Sequence, residues 1–102
     1  MQGDVIVSVF HIVWIKFNPD VEAERIAQHV AALKTLQDSV PGISSLSVGA
    51  NFTDRAEGYT HGVIAELKDK AALQVYVTHP GHVAVAGPLK DDAHLLVMDY
   101  EA

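Results

Sequence analysis

The chain opens on a pattern of period two. Val5, Val7, Val9, His11, Val13, Ile15 and Phe17 fall on one face of an extended segment. Ile6, Phe10, Ile12 and Trp14 fall on the other, with Ser8 and Lys16 as its polar members. Apolar positions on both faces predict a strand covered on both sides: by helices on one, and by a second sheet from a partner chain on the other. Asn18-Pro19-Asp20 reads as a helix start, with Pro19 at the first position and Asp20, Glu22 and Glu24 favouring the dipole. Ile26, Val30, Leu33, Gln37 and Val40 then keep helical spacing, with His29 and Lys34 toward solvent, until Pro41-Gly42 stops the helix.

Further along, Ile43 to Ala50 predicts a second strand, Asn51 to Gly58 a polar hairpin loop, and Tyr59 to Leu67 a third strand. His61, Val63, Ala65 and Leu67 share one face of that third strand. Asp69 is placed to cap a second helix running through Val77, with Leu73 and Tyr76 on one side. His79 to Leu89 reads as a short, turn-rich stretch with a helical turn or two before Gly87-Pro88, and Ala93 to Tyr100 alternates again as the last strand. The order β-α-β-β-α-β is that of an α+β, ferredoxin-like fold: a four-stranded antiparallel sheet with helices on one face, in one domain over residues 1–102. Its usual sheet order puts the first and third strands side by side, so His11 and His61 should lie on neighbouring strands and face the helices.

Composition sharpens this in three ways. A hydrophobic fraction of 49% in 102 residues exceeds what so small a domain can bury, which predicts self-association as a homodimer. Thirteen acidic residues against 7 basic ones, a net charge of −6, and the lack of a basic cluster argue against nucleic-acid binding. The absence of cysteine removes disulfides, thiol nucleophiles and thiolate metal sites, and fits a reducing, cytoplasmic setting. The apolar run from Val5 to Ile15 is too short to span a bilayer and follows Asp4 without a basic start, so no membrane association is expected.

The chemistry is concentrated in Tyr76-Val77-Thr78-His79-Pro80-Gly81-His82, where a phenol and two imidazoles sit within one short segment. Such groups move protons near neutral pH without a cofactor. Pro80 ends the helix that carries Tyr76, which allows His82 to swing back beside it. His11 and His61 on the sheet, Tyr76 on a helix and His82 on the loop after it are therefore expected to converge on one pocket. His79 is read as closing the turn. A metal site is disfavoured, because no His-x-x-x-His pair and no nearby carboxylate accompany the histidines. No phosphate-cradling glycine loop, Ser-His-Asp ordering or dinucleotide fingerprint is present, and no cofactor is expected.

His11-Ile12-Val13-Trp14-Ile15-Lys16-Phe17, Pro41-Gly42-Ile43, Gly58-Tyr59-Thr60-His61, Tyr76-Val77-Thr78-His79-Pro80-Gly81-His82 and Asp99-Tyr100 together resemble the stress-responsive A/B barrel (Dabb) family. The resemblance runs over nearly the whole chain. It implies a dimeric α+β barrel in which two four-stranded sheets close against each other. In a plant member of that family, a tetraketide cyclase working by aldol condensation, the catalytic tyrosine and histidine are placed like Tyr76 and His82, and pocket histidines like His11 and His61. The resemblance thus implies a cofactor-independent enzyme of cyclase or lyase type, acting by general acid-base chemistry on a polyketide-like, aromatic or carbonyl substrate. Two alternatives stay open: a non-catalytic stress-responsive homodimer that binds a hydrophobic small molecule, and a cofactor-free oxygenase of phenolic compounds. Tyr59, Asp99 and Tyr100 are read as strand-end residues, and Phe10, Ile12 and Trp14 as a dimer-interface stripe.

Overall fold

A computed structural model describes residues 7–102; Val5 and Ile6, assigned above to the first strand, lie outside them. The strands are β1 (Val9–Phe17), β2 (Ile43–Ala50), β3 (His61–Leu67) and β4 (Ala93–Glu101). The helices are α1 (Ala23–Lys34), α2 (Leu36–Ser39), α3 (Lys70–Thr78) and α4 (Pro80–Asp92). One antiparallel sheet of order β2-β3-β1-β4 results, with the predicted α+β ferredoxin-like βαββαβ arrangement.

The alternation in β1 does the organising. Val9, His11, Val13 and Ile15 are buried beneath the helices, whereas Phe10, Ile12 and Trp14 on the opposite face stay half-buried or exposed. Ile15, Leu36 and Leu67 are fully buried and join Val9, Val63 and Tyr76 in a single core between sheet and helices. β1 is flanked by β3, with His11 opposite Ala65, and by β4, with His11 opposite Asp99.

Local signals explain most boundaries. Asp69 accepts a bond from the Ala72 N–H at 2.8 Å and caps α3 as expected. Gly42 ends the α2 region at φ +88°, and a Cβ there would meet Ala72 Cβ at 3.0 Å, so the position needs glycine for both torsion and space. Asp69→Ala should lower stability by about 1 kcal/mol. A thermal melt followed by circular dichroism should read this as a Tm lower by about 4–8 °C.

Four expectations are corrected. The first helix begins at Ala23 rather than at Pro19, because residues 18–21 close a turn, with the Val21 N–H bonded to the Asn18 carbonyl. It does not run unbroken to Val40, since Thr35 turns its N–H and hydroxyl back onto Ala32 O and α2 starts afresh. His29 is buried rather than solvent-facing: its Nε2 lies 2.6 Å from Asp92 Oδ2 at the end of α4. His79 to Leu89 is not a turn-rich connection but most of a 13-residue helix, α4. Pro80 occupies its first turn, where a missing N–H is no loss, and Pro88 removes only one internal hydrogen bond on an exposed position.

Candidate active site

His79 makes the site possible. It is the extended residue that both ends α3 and caps α4, accepting the Gly81 N–H on its Nδ1 at 3.0 Å. The chain reverses over this single residue, and His82, in the first turn of α4, folds back onto Tyr76. Their ring centroids are 4.3 Å apart.

Tyr76 is buried, with His11 edge-on to its ring at a centroid distance of 5.1 Å. The Nδ1 of His11 lies 2.5 Å from Asp99 Oδ1 across the β1–β4 ladder, which orients the imidazole and leaves its second nitrogen free of that carboxylate. His11, Tyr76, His82 and Asp99 line one cavity of about 260 Å³ between the sheet, α3 and α4. Its remaining walls are mainly aliphatic, including Val13, Val63, Leu89 and Leu95. Three larger depressions are of a different kind, one of them, of about 390 Å³, lying beside Lys70, Tyr100 and Glu101. One of about 560 Å³ beside α1 is lined largely by acidic and amide side chains, and one of about 400 Å³ lies on the outer sheet face beside Trp14 and Tyr59.

The electrostatics of the cavity favour neutral forms. Burial, with Asp99's charge adding to it, pushes the Tyr76 phenol up to about 12. Burial also lowers the pKa of His82, opposed by the Val77 main-chain carbonyl and reinforced by the charges of His11 and Lys90. Near neutral pH the pair is therefore a protonated phenol beside an unprotonated imidazole. His82 Nδ1 is buried and has no hydrogen-bond partner among the described residues.

His61 stands apart. It lies opposite Ile15, whereas His11 lies opposite Ala65, so antiparallel register separates them by four residues along the sheet, roughly 13 Å. It packs edge-on against Phe17 at 5.4 Å, its Nδ1 lies 2.9 Å from Thr60 Oγ1, and it borders the outer-face depression instead. Burial lowers its pKa too. Asp99 takes its place in the constellation, directly across from His11; the Asp99-Tyr100 motif that resembles the family was the signal in the sequence. Among the described residues, no three His, Asp or Glu side chains are placed to hold a metal ion.

The sequence matches the stress-responsive A/B barrel domain over residues 9–102. The chain belongs to the stress-responsive A/B barrel family. Within that family, a stress-response A/B barrel domain-containing protein of Arabidopsis thaliana is 32% identical over 68 residues, covering 66% of this chain. The chain spans about a quarter of that relative's length, 26%. Among solved structures, the hydroxynitrile lyase from Passiflora edulis superposes with a TM-score of 0.87 at 22% identity, covering 93% of each chain. A dimeric ferredoxin-like protein of unknown function from Jannaschia sp. gives a TM-score of 0.80 at 29% identity, covering 93% of this chain and 99% of that one. A dimeric protein of ferredoxin-like fold from Bacteroides fragilis gives 0.80 at 27% identity, covering 93% and 96%. This A/B barrel chain thus shares its fold with proteins described as dimeric, and has no helix among the described residues long and apolar enough to cross a membrane.

Proposed function

We propose that this A/B barrel chain is a cofactor-independent acid-base enzyme of lyase or cyclase type acting on a small carbonyl compound. The observation that carries the reading is the state of His82. A histidine serving only to fasten α4 to α3 would satisfy its nitrogens, because an unpaired buried polar atom costs about 1–3 kcal/mol. Here the Val77 carbonyl of α3 acts on the ring, yet Nδ1 has no hydrogen-bond partner among the described residues and lies beside a phenol and an apolar cavity.

The chemistry follows from the protonation states. Neutral His82 takes a proton from the carbon alpha to a carbonyl, or from a β-hydroxyl, whose oxygen then becomes a carbonyl as the adjacent C–C bond breaks to leave the enolate. Tyr76 keeps its proton and donates a hydrogen bond to the oxygen that gains charge. Aldol closure and retro-aldol cleavage pass through the same enolate, so one site serves either direction. His11, oriented by Asp99, supplies a second imidazole for the ligand. A cavity of about 260 Å³ lies below the usual range for drug-sized ligands and suits a compact substrate. The Passiflora neighbour of this fold is a hydroxynitrile lyase, which supports the reading. We further infer a homodimer, from the apolar outer sheet face and the dimeric neighbours.

The common enolate gives the test. In D2O, the protein should speed deuterium exchange at the α-carbon of small aryl and alkyl ketones, read by proton NMR. Exchange needs neutral His82, whose pKa is lowered, so the rate should rise through a limb centred below pH 6.5 and stay level through neutrality. Tyr76, at about 12, adds no alkaline limb in the accessible range. Rates no faster than buffer across the panel would overturn the acid-base reading in favour of a binding protein.

A further inference from the structure

One formal cation lines the cavity. Lys90 stands in the last turn of α4, eight residues after His82 on the same helix, roughly 12 Å along the axis. The fold does not neutralise it. Asp91 and Asp92 follow it directly, yet the Asp92 carboxylate is held by Arg25 at 2.8 Å and His29 at 2.6 Å. Among the described residues Lys90 takes part in no ion pair. Lys90 is exposed, and what sets it apart from the other lysines is that it lines the cavity of Tyr76 and His82.

The groups that face a ligand there are a phenol, two imidazoles, one carboxylate and this ammonium. The carboxylate, Asp99, is already engaged by His11. What remains unengaged is a set of donors and one positive charge along the same cavity as the Tyr76–His82 pair. A lysine head at this position can swing on its stem and meet an anion at the mouth.

We propose that the substrate is a small carbonyl compound that also bears a carboxylate, held by Lys90 Nζ while its reactive carbonyl sits between Tyr76 and His82. The assignment rests on the acid-base reading of the same site and names its substrate class. Lys90 and His82 line the same cavity of about 260 Å³, so one compact molecule can meet both. Binding the anion also couples to the chemistry. Lys90's charge is one of the causes that hold His82 below its ordinary pKa, and a carboxylate paired with Lys90 cancels it. His82 becomes the stronger base when the substrate is present.

Benzoate and benzamide, nearly equal in size and differing in charge, serve as probes. Each is titrated into the full chain and followed through the ring-proton shifts of His11 and His82. Wild type should prefer benzoate by roughly tenfold, as expected of a charge-assisted hydrogen bond at a partly exposed site. The preference should shrink as NaCl is raised. Lys90→Gln should abolish it with benzamide affinity unchanged, and Lys90→Glu should turn it against benzoate. Equal affinities in wild type, or a preference that survives in Lys90→Gln, would overturn the carboxylate assignment while leaving the acid-base site standing. Failure of both probes to bind would overturn the cavity as a ligand site altogether. Benzoate binding without α-proton exchange in the ketone panel would sink the acid-base reading and spare the anion subsite.

Discussion

His82→Gln is expected to slow α-proton exchange by roughly 10²–10⁴-fold, the usual contribution of a positioned general base. Tyr76→Phe should cost roughly 10²–10³-fold by removing the donor to the developing oxyanion while keeping the ring. Stability separates this from a structural role. If the Tyr76–His82 contact were a fastener, both variants would melt lower. Instead, glutamine at position 82 removes the unpartnered Nδ1 while keeping an amide N–H for the Val77 carbonyl, and phenylalanine at 76 keeps the packing against His11. Both should melt at or above the wild-type temperature, measured beside the exchange rates. Loss of exchange together with a Tm drop of several degrees would mean that folding, rather than proton transfer, had been removed. Unchanged exchange in His82→Gln would assign the base to His11, whose Asp99 bond already orients it.

What could be read before folding divides along physical lines. The two faces of β1, the stop at Pro41-Gly42 and the Asp69 cap are encoded within a few residues, so period and capping chemistry reveal them. The meeting of Tyr76 with His82 is local too, because a proline right after an extended residue dictates the reversal. α4 was hidden by its own composition: Gly87 and Pro88 are stop signals, and its helicity rests on a good N-terminus and on packing against neighbours. The burial of His29 is hidden in the sequence for a related reason. Its partner Asp92 stands at the end of that unrecognised helix, and a histidine on a helical wheel counts as polar until a buried acceptor is known.

His61 shows a different limit. Parity along a strand decides which face a side chain takes, and His61 does share the helix-facing parity of Val63 and Ala65. Parity carries no information on position along the strand, which register alone supplies. Register set His61 opposite Ile15, near Phe17, and set Asp99 opposite His11. The β1–β3 ladder thus removed an expected member of the constellation, and the β1–β4 ladder supplied an unexpected one. The resulting site is drawn entirely from the helix side of one chain's sheet, which separates it from the surface inferred to join two chains.

Met98→Glu should turn the inferred homodimer into a monomer at micromolar concentration, by light scattering after gel filtration. On the outer face, Ile12 is opposite Ile64 on one side and Met98 on the other, Trp14 is opposite Leu96, and Phe10 stacks on Tyr100 at 5.5 Å. Met98 is 62% exposed and Trp14 45% exposed in the single chain, an apolar patch that a lone domain rarely leaves in water. A carboxylate placed there must be desolvated without a partner, at several kcal/mol. Two-fold symmetry counts it twice, so dimerisation should weaken by at least about 1000-fold. Val75→Glu, on α3 and 46% exposed, tests whether any new surface charge suffices, and should leave the dimer intact. A Met98→Glu chain that stays dimeric would place the interface elsewhere. The monomer should still bind benzamide, because His11, Tyr76, His82 and Asp99 all come from one chain on the far side of the sheet. If monomerisation also abolished binding, the cavity would depend on the second sheet to hold β4 in place, and assembly and chemistry would be one property of the fold rather than two.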